Sequence, residues 1–151
     1  MLNFEVEQNF IKKFIDKRLR DRMIMELNHE HDIVKQKGKE YFYLNKYRHK
    51  AIQRFSSISK IILPSYIYLE DQYVSEEEVE KVIRGLGKLY DKAHMICDDP
   101  ADGEEFSLHD GIAVLYNNYG TSILICGENV ALVKVEASYG TPMKYILYRK
   151  P

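Results

Sequence analysis

From residue 4 to residue 28, apolar side chains return every three or four positions. Phe4, Phe10, Ile11, Phe14, Ile15, Leu19, Met23 and Leu27 make the stripe, and Lys12, Lys13, Lys17, Arg18, Arg20 and Arg22 take much of the remaining surface. The period predicts one amphipathic helix, capped at Asn3, with Glu5 and Glu7 suited to its first turn. The polar run 28–40 predicts the helix end and a turn at Gly38. A second helix is predicted over about 39–56, where Tyr43, Tyr47, Ala51 and Phe55 fall at steps of four beside Leu44, Ile52 and Ile58. Two helices and a short link read as an αα-hairpin. Pro64 stops any helix that persists through Ile61, Ile62 and Leu63, and is a hinge candidate.

After Pro64 the pattern shortens. Residues 65–74 permit a short strand. Ser75 followed by Glu78 is a helix-start signature, and Val79, Val82, Ile83 and Leu86 give the apolar face that follows. Residues 94–97 form a strand candidate, and Pro100 with Asp102–Gly103 marks a loop. Ser107 predicts the cap of a helix over 108–117. Strands are predicted at 122–126, 129–137 and 144–149, with connections short enough to require antiparallel pairing. Alternation places Ala131, Val133 and Val135 on one face. Val130, Leu132, Lys134 and Glu136 share the other face, which is expected to be partly wet. The expected fold is α+β: an N-terminal helical hairpin packed with further helices against a small, mainly antiparallel C-terminal sheet, in a single compact domain over 1–151.

Charge divides the chain where the pattern changes. Residues 1–60 hold 14 Lys+Arg against 8 Asp+Glu, and residues 61–151 hold 8 against 15, although the net charge of the whole chain is only −1. A basic helical subregion beside an acidic mixed one can orient a partner or drive self-association. The 45% hydrophobic content excludes bulk disorder. No run of about 18 apolar residues predicts a membrane span, and no signal-peptide pattern opens the chain. Cys97 and Cys126 are too few for a disulfide scaffold and sit in apolar runs, so a cytoplasmic setting is expected. The 12 Tyr residues suit an interface or a groove.

Three kinds of chemistry have candidate residues. In the 97–110 segment, Cys97, Asp99, Glu105, His109 and Asp110 are the types a small hydrolase or nuclease would use. Asp98, Asp99, Asp102 and Glu104 are dense enough to hold a hard cation, although the spacing is not that of a calcium loop. Arg20, Arg22, Arg48 and Arg54, with Tyr43 and Tyr47 interleaved, are the types that neutralise phosphates and stack on bases. Against this, Asp16–Arg20 and Arg22–Glu26 are spaced to neutralise one another. His29 and His31 are two apart, which is not the zinc-protease spacing, and read as a solvated helix end. Phosphate-loop and dinucleotide fingerprints are absent, and no cofactor is implied. The first expectation is a non-catalytic interaction or regulatory protein that binds a protein partner or a second copy of itself. A nucleic-acid binder is the alternative, and a hydrolase or nuclease the third reading.

Overall fold

The computed structural model describes residues 2–137 and 139–151, except for the side chains at positions 34, 41 and 42. Three helices come from the first third of the chain: α1 (Phe4–Phe14), α2 (Arg20–Leu27) and α3 (Lys46–Arg54). A two-stranded hairpin, β1 (Asp32–Gln36) and β2 (Lys39–Tyr43), lies between α2 and α3. The remainder supplies β3 (Ile67–Asp71), α4 (Glu76–Arg84), β4 (Ala93–Cys97), β5 (Glu105–Phe106), α5 (Leu108–Asn117), β6 (Ser122–Ile125), β7 (Val130–Val135) and β8 (Met143–Tyr148).

Six of these strands form one antiparallel sheet in the order β3-β8-β7-β6-β4-β5. The expected meander is its centre, and the 93–97 strand joins it. Alternation then sorts the side chains. Ile96, Ile123, Ile125, Ala131, Val133 and Leu147 face α1, α2 and α3, where Phe10, Ile11, Phe14, Met23 and Ile52 meet them. Met95, Leu124, Cys126, Leu132 and Ile146 face α4 and α5, against Val79, Ile83, Ile112 and Leu115. The fold is therefore α+β, with the N-terminal helices packed on one face of a mainly antiparallel C-terminal sheet and a second helical layer on the other face. Each fully buried Val, Leu or Ile contributes roughly 1.5–3 kcal/mol relative to exposure.

The face expected to be partly wet is exposed at Glu136, just past β7, but that second layer covers it at Lys134. Lys134 and Lys144 are both buried, and their ammonium groups donate to the carbonyls of Asn118 and Gln72 respectively. Burial holds both below the usual lysine range, and in Lys134 the neighbouring Lys144 adds to the effect.

The single helix expected over 4–28 is broken. Ile15 is extended and bridges to Ile62, and the Asp16 amide donates to the Ile61 carbonyl at 2.7 Å. The Asp16 carboxylate then accepts from the Arg18 amide and starts a short 3-10 turn, a local bond that competes with helix continuation. The helix expected from 39 begins only at Lys46, capped by Asn45. The turn at Gly38 belongs instead to the hairpin. Lys37 and Gly38 both have positive φ (53° and 77°), as a tight two-residue hairpin turn requires. The link between helices α2 and α3 is thus the β1–β2 hairpin.

Candidate functional site

The most constrained polar group in the molecule is the guanidinium of Arg48, which has no exposed surface. Its side chain leaves the apolar face of α3 and meets two carboxylates fork to fork. Nη1 and Nη2 donate to Glu7 on α1 at 2.8 and 2.9 Å, and Nε and Nη2 donate to Asp102 at 2.9 and 3.0 Å. Nη1 also donates to the Leu27 carbonyl at 2.6 Å, closing the end of α2. Paired bonds of this kind fix geometry as well as charge. Burial alone would push the Glu7 carboxyl up, but bonds from His94 and Arg48 and their charges hold it below the usual carboxylate range. Burial likewise disfavours the Arg48 cation, and the bonds and charges of Glu7 and Asp102 outweigh it, raising its pKa.

A histidine stands at each end of this row. His94 Nε2 lies 2.7 Å from Glu7 Oε2, and His31 Nε2 lies 2.7 Å from Asp102 Oδ2. Since a carboxylate only accepts, each Nε2 carries the proton. That leaves His94 Nδ1 buried without a partner among the described residues. Asp102 further accepts from the Cys97 amide at 3.1 Å. The row joins α1, α3, β4, the 98–104 loop and the segment just before β1.

That last connection positions the hairpin. His31 stands immediately before β1, fastened to Asp102, while among the described residues β1 and β2 pair only with each other. The register Asp32↔Tyr43 and Ile33↔Phe42 puts Ile33 and Tyr43 on opposite faces. Ile33 is 65% exposed and Tyr43 50% exposed. Both faces of the hairpin therefore present apolar surface to solvent, although a two-stranded unit alone is marginally stable. Beside it, Tyr47 at the start of α3 is exposed, stacks on His29 at 4.8 Å between ring centres, and lies under Lys46 Nζ at 5.2 Å. Lys35, Lys37, Lys39, Lys46 and Lys50 are exposed on this side, with Asp32 and Glu40 among them. Lys35 and Glu40 pair across the strands at 3.8 Å.

The residues singled out from sequence separate. Of the basic candidates, Arg48 is internal and Arg54 forks onto the buried Glu26 at 2.8 Å through both Nε and Nη2. Arg20 donates to the Ile15 carbonyl, while Arg22, Tyr43 and Tyr47 are exposed. Of the 97–110 candidates, Cys97 is buried and its thiol donates to Asp99 at 3.3 Å. His109 is exposed on α5 and paired with Glu80 of α4 at 2.7 Å, which raises its pKa; Glu105 and Asp110 are also exposed. Burial pushes both thiols well up, Cys126 to about 12, so neither is a thiolate near neutral pH. Of the acidic candidates, Asp98 accepts from His49 and Gln53 of α3, Asp99 caps its own loop at Ala101, Asp102 serves Arg48, and Glu104 is exposed. Among the described residues no group of three or more His, Cys, Asp or Glu side chains is arranged to hold a metal ion.

Glu7 and His94 are the members of the row that sequence reasoning did not mark, and His31, expected in a solvated helix end, is instead largely buried ahead of β1 and fastened to Asp102. Two signals were present. Glu7 falls on the stripe of Phe10, Ile11 and Phe14, and Arg48 falls on the stripe of Leu44, Ala51, Ile52 and Phe55. A carboxylate and a guanidinium, each on an apolar helix face, are candidates to meet in the core. No protein-family model, curated protein or solved structure gives a significant match to this chain.

Proposed function

We propose that this chain is a non-catalytic interaction protein that docks a protein partner through the β1–β2 hairpin and the start of α3. One observation carries the reading: a hairpin exposed on both faces, bearing Ile33 and Tyr43, is fastened at its base to a buried ionic row. Exposed apolar side chains on an element anchored at its base are the usual makings of an interface core, with charge at the rim. The rim here is predominantly cationic, so the partner surface is acidic. Helix α4, which begins Glu76-Glu77-Glu78 on the other side of the sheet, presents the opposite charge and keeps the orientation of encounter unambiguous. The cytoplasmic setting expected from sequence belongs to the same proposal. Among the described residues no helix is long and apolar enough to cross a membrane.

The test is site-specific photo-crosslinking in the source cells, with a benzophenone side chain at position 33 or 43 and, as control, at the exposed position 139. The expected result is one acidic protein captured from 33 and 43 and not from 139. The purified protein should then bind the native chain and lose at least about tenfold affinity to Ile33→Asp. Capture of nucleic acid, capture of a second copy of this chain, or equal capture from position 139 would each overturn the assignment.

A further inference from the structure

A second surface, on the far edge of the large sheet, combines aromatic rings and cations in a cleft. It measures about 540 Å³ and is lined by Tyr66, Ile67, Tyr68, Tyr148, Arg149 and Lys150. Three rings and two cations meet there, and the lining contains no carboxylate side chain. The volume is that of a site for a small organic ligand.

The rings are arranged with different jobs. Tyr66 is half-buried, set edge-on against Phe14 of the core at 6.2 Å between ring centres, and covered by the Arg149 guanidinium at 5.1 Å. Arg149 is itself held in place: its amide donates to the Asn129 carbonyl and its Nη1 to the Lys13 carbonyl at 2.9 Å. The rest of the guanidinium fork makes no further hydrogen bond among the described residues. Tyr68 stands at the irregularity where the β3–β8 register shifts between Ile67 and Leu69. It is 57% exposed and meets Tyr148 at 6.0 Å and 88°. The cleft therefore offers a largely exposed tyrosine ring, braced by a perpendicular ring, on a lining shared with a pre-placed guanidinium and an exposed ammonium.

We infer that this cleft binds a nucleoside phosphate, its base stacked on Tyr68 and its phosphate between Arg149 and Lys150. A planar π-face and a phosphate at adjoining positions are what the two halves of the lining recognise. An open tyrosine face stacks on any base, and a guanidinium and an ammonium together take a phosphate. The same chemistry is presented by a free nucleotide and by one unit of a single-stranded nucleic acid. The residues are not the basic helical set that the sequence suggested, and the inference is independent of the hairpin reading.

The test is titration calorimetry of the full chain with AMP, with an eight-residue oligouridylate and with inorganic phosphate, at about 20 and 200 mM salt. The expected result is binding of AMP or the oligonucleotide that weakens with salt and exceeds phosphate alone. Tighter binding of the oligonucleotide than of AMP identifies a strand as the source, and the reverse identifies a free nucleotide. Tyr68→Ala should weaken binding by about tenfold or more, Tyr68→Phe should retain it, and Tyr119→Ala, an exposed tyrosine elsewhere, should leave it unchanged. The Tyr68 side chain makes no hydrogen bond among the described residues, so its variants report on the cleft rather than on folding, and an unchanged melting temperature checks this. Arg149→Gln should weaken binding and make its salt dependence shallower, with Lys150 supplying what remains. Absence of binding at 20 mM salt, or binding indifferent to Tyr68→Ala, overturns the inference.

Discussion

Replacing Arg48 by Met removes the cation from a site where two carboxylates depend on it. Met matches the length and apolar character of the arginine stem, so little cavity is created, and the loss is mainly electrostatic. Five hydrogen bonds disappear: two to Glu7, two to Asp102 and one to the Leu27 carbonyl. Glu7 keeps His94, and Asp102 keeps His31 and the Cys97 amide, but neither keeps a permanent positive partner. Breaking a buried pair by removing one partner costs about 3–5 kcal/mol, because the remaining charge is stranded in low dielectric. For a chain of this length that corresponds to a melting temperature lower by roughly 6–20 °C. Arg48→Lys preserves the charge but not the double fork and should fall between Met and the native residue. The assay is urea unfolding followed by far-ultraviolet circular dichroism, with Glu7→Gln and the Glu7→Gln/Arg48→Met double variant completing a cycle. Glu7→Gln should cost far less in the Met background than in the native one. An Arg48→Met variant within about 1 kcal/mol of the native chain, or a cycle with no coupling, would refute the reasoning.

Further predictions follow from the same geometry. The Glu7 carboxyl lies below its ordinary value of 4.5 in the folded chain, so its contribution is fully present above that pH and is lost as pH falls through the folded value. Unfolding free energy measured from pH 6 to 3 should therefore fall less steeply in Glu7→Gln than in the native chain. Both thiols should resist Ellman's reagent at pH 8 in the folded protein and react once it is unfolded in urea, since burial raises their pKa values and denies access. At Gly111, an added Cβ would lie 2.9 Å from Cδ1 of the fully buried Leu124 where α5 crosses β6; set against the ~1 kcal/mol that alanine gains over glycine inside a helix, Gly111→Ala should cost up to about 2 kcal/mol by thermal melting.

The elements whose signals are local were readable from the chain alone. Ser75 and Ser107 cap α4 and α5 as their spacing implied, and the alternation in 122–148 gave the central strands in their observed pairing. The β1–β2 hairpin was not readable in this way. Its turn is Lys37-Gly38 rather than the Asn-Gly or Asp-Gly pair that marks such turns, and the tyrosines near it also satisfy a helical step of four. The break at Ile15 depends on pairing with Ile62, a contact 47 positions away that no local pattern announces. The ionic row is non-local for the same reason. Glu7 and Arg48 stand on apolar stripes, but nothing local pairs them with one another or with His31, His94 and Asp102, and only the packing of α1 and α3 over β4 makes the five one group.

The docking role of the hairpin is tested most directly by amide hydrogen exchange on the chain alone and in complex with the acidic protein recovered by crosslinking. Free, residues 33–43 should exchange much faster than β6 and β7, whose side chains are buried on both faces. In the complex, slowing of at least about tenfold is expected in 33–43 and the start of α3, with the α4 face unchanged. Hairpin amides that exchange at the same rate with and without that partner, while protection develops elsewhere, would contradict the account.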